Sequence, residues 1–150
     1  MAWLCGWRLR RVSTLSDRET NGRVTYYPRD IRGKSVWDAA MEEARVDVAG
    51  GVACAIRLGL FDTQNMRRWV KRGNPQELPE MMPDAWLDPL LIGVRDDLQA
   101  HWTRVEALAD ELFAHWWLWG KRATVVIEEA QRVALIQAVP LDLVGRVSAS

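Results

Sequence analysis

Histidine is almost absent from this sequence: His101 and His115 are the only two in 150 residues, and they stand fourteen positions apart. Neither H-x-x-x-H nor H-E-x-x-H can be written, so the chain's own histidines supply no zinc site. His101 lies beside an apolar stripe and His115 precedes a tryptophan cluster, positions that suit packed or half-exposed side chains better than ligands. Cysteine is equally scarce. Cys5 and Cys54 lack C-x-x-C spacing, which argues against a disulfide framework or a zinc ribbon and for a reducing, cytoplasmic location. Cys54, inside an apolar helical stretch, reads as a small buried hydrophobe.

Other absences narrow the classes further. G-x-x-x-x-G-K-[ST], G-x-G-x-x-G and G-x-S-x-G are all missing, so nucleotide-binding and serine-hydrolase readings lack their minimal parts. No apolar run approaches the ~20 residues that span a bilayer. The apolar opening is no signal peptide either, because Arg8, Arg10 and Arg11 follow it. Twenty basic and twenty acidic residues cancel, leaving no global field to recruit nucleic acid or an anionic membrane. The carboxylate pairs Asp96-Asp97, Asp110-Glu111 and Glu128-Glu129 are adjacent in sequence, do not share a helix face, and read as solvated.

Against two phenylalanines and two tyrosines stand nine tryptophans. Tryptophan buries a large area, so many of these must be core or interface anchors. Two of them fall in the opening "MAWLCGW", an apolar start that must pack against something. The densest group, Trp116-Trp117-Leu118-Trp119, reads most simply as the closing corner of a helix hairpin, or else as a partner-binding anchor.

Periodicity gives the organisation. "RLRRVSTLS" suggests a strand, with Leu9, Val12 and Leu15 apolar, and "DRETNG" suggests a turn. "RVTYYP" suggests a second strand stopped by Pro28. Ser35 can cap a helix whose apolar positions Trp37, Ala40, Met41, Ala44, Val48, Val52 and Ile56 keep helical spacing. Gly50-Gly51 inside it implies close backbone approach or a break. A short helix over Asp62 to Arg72 is expected, with Arg67, Arg68, Lys71 and Arg72 outward. The four-proline stretch "GNPQELPEMMPDAWLDP" reads as a loop packed through Met81, Met82 and Trp86. One long amphipathic helix is expected from Leu91 to Leu112, with Gly120 as a stop and a further helix before Pro140. The fold class is therefore α+β: a mostly helical single domain over residues 1–140 with a small β-hairpin or sheet near the N-terminus, and a loose tail over 141–150.

Three stretches, in order, resemble the peptidase domain of FtsH-type zinc metallopeptidases, in particular its small stand-alone bacterial and phage versions. The first is Trp3-Leu4-Cys5-Gly6-Trp7, then Val12-Ser13, then Gly22-Arg23-Val24-Thr25-Tyr26, similar to the family's helix end, strand and returning strand. The second, Val48 to Cys54, is similar to its "A-G-x-x-A-E" helix, with Cys54 where glutamate is usual. The third, His101-Trp102 through Glu111-Leu112 and on to Leu118, Gly120 and Val126-Ile127, resembles its closing helix and short successor. In the family an H-E-x-x-H helix precedes the first stretch; its histidines hold zinc, its glutamate activates water, and an aspartate on a later helix is the third ligand.

The resemblance implies that Met1 to Trp7 is the tail of that metal helix and that the rest of the helix is cut away or lost. Asp62 is the first candidate for the later aspartate and Asp84 the second, with Asp62 as a helix cap the competing reading. One aspartate cannot hold zinc, so zinc is implied by the family only and none is expected to bind this chain as given. The expectation is a truncated or degenerate relative, inactive as a peptidase, whose partner is a polypeptide substrate or another protein. The alternative is a non-enzymatic helical adaptor or self-association module using Trp116, Trp117 and Trp119. Neither nucleic acid nor membrane is expected as a partner; a homo-oligomer is compatible with either reading.

Overall fold

The computed structural model describes residues 1–14, 23–27, 32–73 and 82–138, without the side chains of Asp84 and Ala138. These form β1 (Leu9–Ser13), β2 (Arg23–Tyr26), α1 (Val36–Arg57), α2 (Thr63–Gly73), α3 (Asp84–Ala100), α4 (Trp102–His115), β3 (Trp117–Trp119) and α5 (Gly120–Ala138). The architecture is the expected α+β one, with helices dominant. The turn expected at 17–22, Leu15, Pro28, Met81 and the tail after 140 lie outside the described residues. Among the described residues, no helix is long and apolar enough to cross a membrane.

Helix α1 starts where Ser35 accepts the Asp38 amide at 3.0 Å, the N-cap bond that satisfies one otherwise unpaired donor. Ala44, Val48, Val52 and Ala55 repeat at four, four and three residues and form its buried stripe. Against that stripe pack Met66 and Val70 of α2 and Leu87, Leu90, Leu91, Val94 and Leu98 of α3, giving the larger core. Two ion pairs tie its outer surface: Arg45 of α1 with Asp97 of α3, and Arg67 of α2 with Asp88 of α3. Gly51 gives close approach rather than a break, for α1 continues through it with the α2 backbone alongside.

The sheet is antiparallel in the order β2-β1-β3. Leu9 and Val12 both join the smaller core with Leu112, Leu118 and Ala123, although residues three apart on a regular strand face opposite ways. A register shift between Leu9 and Arg11 resolves the conflict by turning Leu9 inward. One sheet face therefore packs on α4 and α5, and the other carries Arg11, Trp117 and Trp119.

Three expectations need correction. Helix α3 begins at Asp84, so Trp86 and Pro89, expected in a loop, are helical. Pro89 removes one hydrogen bond near the helix start, and burial of Leu87, Leu90, Leu91 and Val94 on one face outweighs that loss. The long helix over 91–112 is two helices meeting at His101, whose φ of −120° and ψ of 21° leave the helical range. Its single apolar stripe serves both cores, Leu91 to Leu98 on the larger and Leu108 and Leu112 on the smaller. Gly120 does not stop a helix. It opens α5, where an added Cβ would run into the Leu9 carbonyl, while α4 ends at Trp116 and the tryptophan corner is strand β3.

Candidate functional site

Residues Met1 to Trp7 form one α-turn with a specific closure. The Cys5 amide donates to the Met1 carbonyl at 3.0 Å, Gly6 to Trp3 at 3.0 Å, and Trp7 to Ala2 at 2.9 Å. The last two bonds, with Gly6 at a φ of 75°, are the pair that ends helices in a left-handed glycine. The same pair closes α1: Gly59, at a φ of 72°, donates to Ile56 and Leu60 donates to Ala55, both at 2.9 Å. The opening segment thus has the geometry of a helix C-terminus leading into β1.

It packs within the chain. Ala2 and Trp7 are buried, Met1 lies against the larger core, Trp7 meets the Tyr26 ring at 4.6 Å, and Arg104 of α4 sits 5.0 Å from the Trp3 ring. Burial pushes the Met1 amino group below its usual range despite the Cys5 thiol and Asp97 nearby. Burial, and then the Glu42 carboxylate, pushes the Cys5 thiol up, so it is a poor nucleophile. Around the turn lie Lys34, which pairs with Glu42 at 2.5 Å, and the Arg45–Asp97 pair. Nothing in the sequence signals the latter contact, since its partners are 52 residues apart.

Asp62 stands just ahead of α2. Its Oδ1 accepts the Asn65 amide at 2.8 Å and its Oδ2 accepts from Asn65 Nδ2 at 2.6 Å. These bonds hold its carboxyl below the usual range, and they are those of a helix cap. Asp84 is the first residue of α3. His101 and His115 bracket α4, roughly 20 Å apart at 1.5 Å per residue. His101 Nδ1 lies 2.8 Å from the Asp97 carbonyl oxygen and His115 Nε2 lies 3.7 Å from Glu111. Among the described residues no three of histidine, cysteine, aspartate and glutamate converge as a metal site.

Two other surfaces stand out. A groove of about 730 Å³ between α1, α2 and α4 is lined by Ala53, Cys54, Trp69, Trp102, Val105 and Ala109, with Arg57, Glu106 and Asp110 on its rim. Cys54 is exposed there, not buried as its apolar neighbours suggest. The sequence could not reveal this groove, since Trp69 and Trp102 each look like ordinary stripe residues. On the opposite core, Phe113, Trp116, Trp117 and Trp119 are exposed around β3. Of the basic residues on α2, Arg67 is paired with Asp88 and Arg72 sits 5.2 Å from the Trp69 ring.

No family model matches this chain, and neither the curated proteins nor the solved structures yield a match.

Proposed function

We propose that this chain is a relative of the FtsH-type zinc metallopeptidases that, with the residues given, does not hydrolyse peptides. The observation that carries the reading is the Met1 to Trp7 turn, which has the hydrogen-bonded closure of a helix end and runs directly into β1. That is the order, helix end then strand, in which the family's metal helix is followed. Two features add support. The strand residue Val12 shares a core with Leu112 of α4 and Ala123 of α5, so the first and third resembling stretches belong to one packed unit. The second stretch holds Gly51, where the backbone of α2 comes so near α1 that a Cβ would collide with it.

Zinc-dependent proteolysis needs two histidines on one helix face and a carboxylate to activate water. His101 and His115 at the two ends of α4 cannot share an ion. Of the two candidate aspartates, Asp62 accepts one hydrogen bond from Asn65 on each oxygen, which leaves lone pairs on both, so it stays the first candidate for the ancestral third ligand and Asp84 the second. The test is a casein and fluorogenic-peptide assay of the 150-residue chain with added Zn²⁺. Hydrolysis no faster than buffer is expected; zinc-dependent cleavage abolished by a chelator would overturn the proposal.

A further inference from the structure

We infer that the outer face of the sheet binds single-stranded nucleic acid, with bases stacked on Trp119 and Tyr27 and phosphates held by Arg11 and its basic neighbours. The inference stands apart from the peptidase kinship and rests on the sheet and its charges. Twenty basic and twenty acidic residues balance over the whole chain, which speaks against such a partner but conceals a segregation. The segments that build the sheet and lead out of it, residues 1–14, 23–27 and 116–127, carry Arg8, Arg10, Arg11, Arg23, Lys121 and Arg122 and not one aspartate or glutamate. The acidic side chains of α1, α3 and α4 supply much of the balance. A local excess of this kind is the electrostatic footprint of a site for a polyanion.

Strand alternation sorts the side chains. Val12 and Leu118 lie opposite each other and face the core, so Arg11, Trp117 and Trp119 face outward. Arg11 has Trp119 across from it on one side and Thr25 on the other. Alternation from Thr25 carries Tyr27 to the same outer face, and its amide continues the ladder by donating to the Arg8 carbonyl at 2.9 Å. Cations sit among the rings: Arg8 lies 5.0 Å from the centre of the Tyr27 ring and Arg11 5.3 Å from that of Trp117. Trp117 and Trp119 pack edge to face at 5.2 Å, which fixes the Trp119 indole while leaving it 61% exposed. Glu111, the carboxylate beside the two indoles, is neutralised by Arg122 at 2.8 Å.

This arrangement favours a nucleic acid over an anionic lipid surface. A lipid surface is met by an apolar face with the cations set to its side. Here guanidinium and ring are interleaved across three strands, so that one polymer can stack its bases and pair its phosphates in turn. From β2 to β3 the face is roughly 10 Å wide, room for a few nucleotides. Stacking needs a base whose face is open, which a duplex does not offer.

Fluorescence anisotropy of a labelled oligothymidylate of about 20 nucleotides, titrated with the 150-residue chain, tests the site. Saturable binding is expected, weakening as salt rises. Trp119→Thr should weaken it about fivefold or more at an unchanged salt slope, because it removes stacking alone. Arg11→Gln should weaken it and lower the salt slope by about 0.7, one phosphate contact. Arg68→Gln combined with Lys71→Gln, on exposed positions of α2, should leave affinity and slope as they are. Should Trp119→Thr lose its circular-dichroism signature, Arg11→Gln, on an exposed side chain, carries the test. No saturable binding up to about 200 µM chain overturns the inference. So does binding that depends on Arg68 and Lys71 in place of Arg11, a duplex of the same length bound at least as tightly, or binding to phosphatidylserine–phosphatidylcholine vesicles without binding to the oligonucleotide.

Discussion

Gly51 of α1 lies against the backbone of Val70 in α2: a Cβ at this position would sit 2.5 Å from the Val70 Cα and nitrogen and 2.8 Å from the Trp69 carbonyl carbon. Backbone cannot rotate away as a side-chain tip can. Gly51→Ala should therefore push the helices apart and cost about 1–3 kcal/mol. Gly50, one residue earlier, has open space where its Cβ would be. Gly50→Ala should stabilise by up to ~1 kcal/mol through helix propensity. Urea unfolding of the two variants beside wild type reads both signs at once.

The opening turn makes a similar prediction through backbone conformation alone. Gly6 has a φ of 75° with nothing within 4 Å of an added Cβ. Gly6→Ala should cost about 1–2 kcal/mol, the penalty of the left-handed region for a residue with a side chain. A variant as stable as wild type in urea would mean that the turn does not hold this geometry.

At the end of α4 the sign reverses. Trp116 is a bulky residue in the left-handed region, so Trp116→Gly should raise monomer stability by about 1 kcal/mol. Thermal unfolding of the variant beside wild type reads the sign, and a variant less stable than wild type would contradict it.

Asp62 gives a pH dependence with a definite direction. Its hydrogen bonds from Asn65 lower its folded pKa beneath the ordinary value of 3.8. A carboxyl depressed in the fold contributes stability above its unfolded pKa and loses it as pH falls through the folded one. The gap in thermal midpoint between wild type and Asp62→Ala should be full near pH 7 and shrink as the pH falls below the ordinary carboxylate value and through the lowered folded one. A gap independent of pH would show that the carboxylate charge has no part in capping α2.

Much of the fold was legible because burial imposes period. Ala44, Val48 and Val52 announce α1, and Leu91, Val94 and Leu98 announce α3, since each keeps one helix face apolar. The break at His101 was not, because Gln99-Ala-His-Trp-Thr103 contains no helix breaker; the helix yields there to serve two cores. Prolines hid the start of α3, since Pro83 and Pro89 read as loop while the burial that offsets Pro89 is tertiary. Strand β3 escaped for another reason: Trp-Leu-Trp after a strong helix carries no periodic signal, and its strand character comes from pairing with Arg11 to Ser13, more than a hundred residues earlier. Of the candidate site, the apolar opening and the capping competence of Asp62 were readable. The contact of Arg45 with Asp97 and the groove beside Cys54 were not, because they exist only after α1, α2, α3 and α4 pack.

The proposed kinship, in which Met1 to Trp7 corresponds to the end of the family's metal helix, is tested most directly by the zinc content of this chain preceded by an in-register helical segment carrying H-E-x-x-H. The account predicts about one tightly held zinc per chain, retained through dialysis and lost when Asp84→Asn and Asp62→Asn are combined, because the third ligand comes from this chain. A chain that holds no zinc, or holds it regardless of both aspartates, would contradict it.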